Sequence, residues 1–222
     1  MSWSTHKLEG VLLDPTAFTC ATFGPMTRIQ QNDIPTENGE ISMAFLREVG
    51  IPQKSDQLLL LRSITFDVAT SPLSTVETVF KNFGLSPVKE ISDNLCLNLI
   101  PNTDSRKKVS VIYIDVRDDG KIKRFTYSPN PSNNNEKQDM FVNSTISQYI
   151  YTLAFSLAYW RSFPSNEEFD ANGEDFAETV CDIFFRVIHA LDEKAIPASE
   201  KEWGHKSQNS TYWTEFFEYF SI

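Results

Sequence analysis

Metal binding and covalent catalysis each need particular side chains at particular spacings, and this 222-residue chain offers few candidates. Its three histidines, His6, His189 and His205, and its three cysteines, Cys20, Cys96 and Cys181, stand far apart. No two fall at the close spacing from which a zinc site is assembled, so no metal and no cofactor is expected. The chain carries no phosphate loop, no Gly-x-Gly-x-x-Gly, no Gly-x-Ser-x-Gly and no His-Glu-x-x-His, and with 8 glycines it has little material for loops that cradle phosphate. Carboxylate pairs remain as the one route to acid–base chemistry. Glu167-Glu168 and Glu174-Asp175 are adjacent, and Asp115 and Asp118 flank a turn. Glu174 and Asp175 fall in a first helical turn, where the macrodipole favours them without any catalytic role. No residue is therefore expected to be catalytic.

The acids are unevenly spread. Between Pro164 and Glu202 eleven acids face three bases, so this segment holds −8 of the net −10 charge. In a helix expected over 173–191, Glu174, Asp175, Glu178 and Asp182 cluster on one side. A core stripe of Phe176, Val180, Ile183, Phe184, Val187, Ile188 and Leu191 lies opposite. Such a face is either solvated or turned to a basic partner, and these four acids are the candidate partner-binding residues. Direct binding of nucleic acid would need the opposite sign. A smaller basic group, Arg106-Lys-Lys108 with Lys121, Lys123 and Arg124, falls on an expected hairpin and suggests an electrically polarised molecule.

The elements that position these groups are legible in the hydrophobic pattern. Glu40 to Val49 reads as a helix stopped by Gly50 and Pro52. Leu58 to Phe66 reads as a buried strand. Ser71-Pro72 reads as a helix start, with Val76, Val79, Phe80 and Phe83 on the apolar side and Gly84 at the end. Asn94 to Ile100 alternates, with Leu95, Leu97 and Leu99 on one face. Lys108 to Val116 suits a central strand covered on both sides. Asp118-Asp-Gly120 signals a hairpin turn, and Lys121 to Tyr127 returns. Residues 129–138 form a polar surface loop, and residues 1–35 an irregular lead-in. Asn143, Ser144 and Thr145 are good N-cap types ahead of an amphipathic helix with Ile146, Tyr149, Ile150, Leu153, Leu157 and Trp160 on its stripe. A last helix is expected from Tyr212 to Phe220. Strands grouped in the middle with helices on either side in sequence argue an α+β fold in a single domain, 1–222.

Composition agrees with a globular protein: 41% hydrophobic residues, with 17 Phe, 7 Tyr and 4 Trp. No run is long and apolar enough for a membrane span, and the first residues lack a basic-then-apolar signal. An odd number of scattered cysteines fits a reducing compartment, so a cytoplasmic protein is expected.

Three landmarks come in an order that resembles the SUKH superfamily of bacterial immunity proteins, above all its fourth family. They are Phe45-Leu-Arg-Glu-Val-Gly-Ile-Pro52, the aliphatic lead-in to Asn143-Ser-Thr145 with its long helix, and Leu191-Asp-Glu-Lys-Ala195 followed by Tyr212-Trp213. Leu191 and Glu193 stand where that family usually has Ile and Pro. The resemblance spans roughly residues 40–220. It implies a twisted, largely antiparallel sheet flanked by helices, and a protein that binds and neutralises a toxin, often a nuclease or deaminase, by stoichiometric occlusion with no turnover and no cofactor. The partner would be a basic toxin domain. Gly50, Pro52, Asn143, Ser144 and Thr145 would be structural devices, not contact residues. A regulatory or scaffolding module is the alternative within the family, and a small carboxylate-dependent hydrolase the rival outside it.

Overall fold

A computed structural model describes residues 10–29, 40–52, 74–101, 109–127, 138–162, 181–196 and 211–220. The fold is α+β, with a four-stranded and a two-stranded antiparallel sheet. The chain divides into two compact units, Phe23–Ser147 and Met1–Thr22 with Gln148–Ile222.

The unit Phe23–Ser147 is built on a meander of four consecutive strands, β3 (Leu95–Pro101), β4 (Val109–Asp115), β5 (Lys121–Tyr127) and β6 (Gln138–Asn143), in that spatial order. Every neighbouring pair is antiparallel. As its dense apolar pattern requires, β4 is covered on both faces: Val109, Val111 and Tyr113 alternate with Ile112 and Ile114, and all are buried. On one face Val109, Val111, Tyr113 and Phe125 pack with Val76 and Phe80 of a short helix, α3 (Val76–Asn82). The β4–β5 turn holds Asp119 at φ 51° and Gly120 at φ 71°, the left-handed pair that the Asp-Asp-Gly sequence favours.

The strand β3 departs from the expected alternation. A register shift between Cys96 and Asn98 inserts an extra residue, so Cys96 and Leu99, three apart, share the α3 face. Leu95, Leu97 and Leu99 therefore do not form one row, because a bulge breaks the two-residue period. The strand β6 was not expected. Gln138, placed by its polar surroundings in a loop, is its first residue, and the remainder of that loop lies outside the described residues.

The second sheet is a two-residue pairing of β1 (Met26–Thr27) with β2 (Ile51–Pro52), next to α2 (Glu40–Glu48). The lead-in is also more regular than expected. A helix, α1 (Pro15–Phe23), opens with Asp14 accepting the Ala17 amide at 2.9 Å and Pro15 at the first helical position. Its apolar residues are distributed around the helix instead of forming a stripe, so the periodicity that reveals a helix is missing.

The unit containing the C-terminal half is helical and aromatic. From Gln148 onward it holds most of α4 (Ile146–Arg161), a helix over 181–191, here α5, and α6 (Tyr212–Phe220). Phe184 meets Phe155, Tyr159, Phe185 and Phe217 at ring-centroid separations of 5.7, 5.1, 5.5 and 5.0 Å. Such tilted pairs add to the area they bury. The helix α4 is buried far beyond the expected stripe, with Thr152, Ala154, Phe155, Ser156 and Tyr159 also enclosed. The hydroxyls make this possible: Thr152 donates to the Gln148 carbonyl and Ser156 to the Thr152 carbonyl, both at 2.8 Å, so neither is stranded. A reciprocal cap starts α6, where the Thr214 amide bonds the Thr211 hydroxyl and the Thr211 amide bonds the Thr214 hydroxyl.

The expected stripe on α3 outlasts the surface it packs against. Val76 and Phe80 are fully buried, whereas Phe83, one heptad from Val76 and at nearly the same azimuth, is 58% exposed. Truncating Phe80 to Ala should cost about 3–5 kcal/mol. The same change at Phe83 should stay within about 0.5 kcal/mol. Urea denaturation of the two variants checks this, and equal losses would mean that Phe83 belongs to the core.

Candidate functional site

Two clusters in the Phe23–Ser147 unit bring together side chains able to do chemistry. The first lies on the sheet face that carries α3. Tyr113 and Lys123 are direct cross-strand partners, Asp115 is two residues along β4, Asp118 sits in the turn and Asp139 on β6. By residue type, a tyrosine, a lysine and carboxylates could relay protons. The geometry commits them to one another. The Lys123 Nζ bonds Asp115 at 2.8 Å and Asp118 at 2.9 Å, Lys121 also bonds Asp118, and the Tyr113 hydroxyl donates to Asp139 at 3.0 Å.

The electrostatics follow from these contacts. Burial by itself would lower the Lys123 pKa, but the hydrogen bonds to Asp115 and Asp118 outweigh it and raise it to about 12. The hydrogen bonds from Lys121 and Lys123 hold the Asp118 carboxyl below its ordinary value. Burial, then the Asp139 charge, pushes the Tyr113 phenol up, and only 1% of this residue is exposed. Burial pushes the Cys96 thiol up to about 12 against the opposing backbone hydrogen bond at Asn98, and it also raises Tyr159 in the other unit. A lysine nucleophile or a reactive thiol needs its pKa moved down, not up.

The second cluster is an open cleft of about 680 Å³ lined by Glu77, Pro87, Lys89, Glu90, Ser92, Asp93 and Arg117. Its walls are pinned through Asn94. The Asn94 carbonyl accepts the Val76 amide at 2.8 Å, and the Ser92 carbonyl accepts the Glu77 amide at 3.1 Å. The Asn94 Oδ1 accepts the Val116 amide at 3.1 Å. The Thr75 hydroxyl caps the Thr78 amide at 3.3 Å. The first-turn donors of α3 are thus used within the chain, which leaves no amide nest for an anion. Arg117 pairs with Asp93 across the cleft, and Lys81 pairs with Glu77 at 2.6 Å. With Lys81, the three acids of the lining face three bases.

Of the candidate partner-binding acids, the structure describes Asp182. Glu174, Asp175 and Glu178 lie outside the described residues. Asp182 is on α5, half-exposed, with Arg186 one turn away at 3.8 Å. The expected basic group is divided. Arg106, Lys107 and Lys108 are outside the described residues, and Lys121 and Lys123 are paired with aspartates. Arg124 alternates to the other face, where its guanidinium lies 3.4 Å from the Met140 sulfur. The described part of this group therefore makes no cationic patch, because strand alternation and cross-strand carboxylates divide it. Asn143 ends β6 fully buried, and Ser144 and Thr145 bridge to the first residue of α4. Among the described residues no group of three His, Cys, Asp or Glu is placed to hold a metal ion. No described helix is long and apolar enough to cross a membrane. No periodicity in the sequence marks the cleft, because apart from Glu77 on α3 its lining comes from turns and irregular segments. The usable signal was the polar run Lys89-Glu90 to Asp93-Asn94 ahead of a strand.

Gly50 is a junction with a steric requirement. Its φ is +92°, and a Cβ there would lie 2.3 Å from the Thr27 carbonyl oxygen. The Phe45 carbonyl accepts both the Val49 and Gly50 amides, and the Ile29 amide bonds the Leu46 carbonyl, so the 27–29 segment crosses the end of α2. Pro52 follows in β2, paired with Met26.

Gly50→Val should destabilise the fold by more than the roughly 1–2 kcal/mol of a left-handed residue with a Cβ, because the backbone clash adds to it. A melting temperature equal to the parent's would contradict the geometry. Lys123→Met tests the charge cluster. The Lys123 pKa is raised from 10.5 to about 12, so its contribution is complete below pH 10.5 and is lost as the pH rises through 12. The stability gap between parent and variant should hold at neutral pH and narrow across that alkaline window. A gap unchanged through it would mean that the ion pairs contribute nothing.

No protein-family model, no curated protein and no solved structure matches this chain.

Proposed function

We propose that the chain is a binding protein of the immunity type that neutralises a basic bacterial toxin domain, a nuclease or nucleic-acid deaminase, by stoichiometric occlusion. One observation carries the non-catalytic half of this reading. Cys96, Tyr113, Tyr159 and Lys123 are all held on their protonated side. Those are the states that a nucleophile or general base must leave near neutral pH. A sheet whose described lysines and aspartates satisfy one another is suited to presenting a surface.

The SUKH resemblance supplies the partner class, and the position of two of its landmarks at junctions between elements supports reading them as structural devices. Gly50 stops α2, and Asn143 to Thr145 join β6 to α4. Asp192 accepts the Lys194 amide at 3.2 Å and opens a short turn after α5. Glu193, the position where the family has Pro, is the first residue of that turn. Trp213 on α6 is fully buried. The acidic run 164–202 supports a cationic partner. The balanced charges around the cleft favour a second reading, a scaffolding module whose partner presents both signs there.

The purified chain should form a one-to-one complex with a cationic toxin domain encoded beside its gene and abolish that domain's activity at one equivalent. Turnover of the toxin's substrate or product by the chain alone, or inhibition far below one equivalent, would overturn the occlusion mechanism. Replacing Glu174, Glu178 and Asp182 together by Lys should slow association and flatten its salt dependence, since rim charges act mainly on the encounter. An unchanged rate and salt slope would return this acidic face to plain solvated surface and move the search for contacts to the cleft.

A further inference from the structure

We draw no further inference here: the strongest candidate, the buried Asn98 side chain on the face of β3 opposite α3, whose amide nitrogen and oxygen both lack a hydrogen-bond partner among the described residues, carries nothing because no described cavity opens beside it and nothing in the structure shows what it would meet.

Discussion

Asn94 joins three segments with one residue, and the α3 side of the meander rests on that junction. Its amide bonds Ile91, its carbonyl takes the first amide of α3, and its side chain takes the Val116 amide in the β4–β5 turn. The residue is 3% exposed, so its own polar atoms are shielded from water, where an abandoned donor costs about 1–3 kcal/mol. The tie fixes α3 at the height where Val76 and Phe80 meet Val111, Tyr113 and Phe125. It also fixes the 86–94 segment against Arg117, and the cleft is the space these walls enclose.

The same economy governs the charges. Lysines on β5 are placed by strand alternation opposite carboxylates of β4 and its turn, and half-burial makes those pairs firmer than exposed ones. This arrangement removes them from the pool of groups that could attack a substrate or grip phosphate. Among the described residues, Lys121 and Lys123 are thus committed to Asp115 and Asp118. The described surface of this unit also carries the cleft, with matched charges around it. The helical unit is held differently, by interlocked rings around Phe184 and by hydroxyls folded back onto their own helix.

Much of this was legible in the residues. β4 announced itself by density, β5 by its return after Asp-Asp-Gly, and α6 by its aromatic period. Each of these signals is local. The misses share a cause: tertiary context decided them. β6 pairs a polar-led segment, Gln138-Asp139, because β5 offers an edge, not because its own pattern alternates. The bulge at Cys96–Asn98 moves a leucine off its expected face. α1 rests on the Asp14 cap and Pro15, two signals that carry no periodicity. α3 begins at Val76 with Thr75 as its cap, and the stronger-looking Ser71-Pro72 lies outside the described residues. The acids of 174–178, which lie outside the described residues, are visible in sequence as a charge pattern. The cleft is not, because turns bring its lining together through backbone bonds that leave no trace in composition.

Amide hydrogen exchange in the parent and in Asn94→Ala tests the Asn94 junction most directly. The Val116 amide loses its acceptor in the variant, while the Val76 amide keeps the backbone carbonyl of residue 94 and serves as an internal reference. Val116 protection should collapse to the level of local fluctuation. Global stability, read from the slowest β4 amides, should fall by about 1–3 kcal/mol. Val116 protected as in the parent, with β4 exchange unchanged, would contradict the Asn94 junction and show that the α3 side of the sheet is held by apolar packing alone.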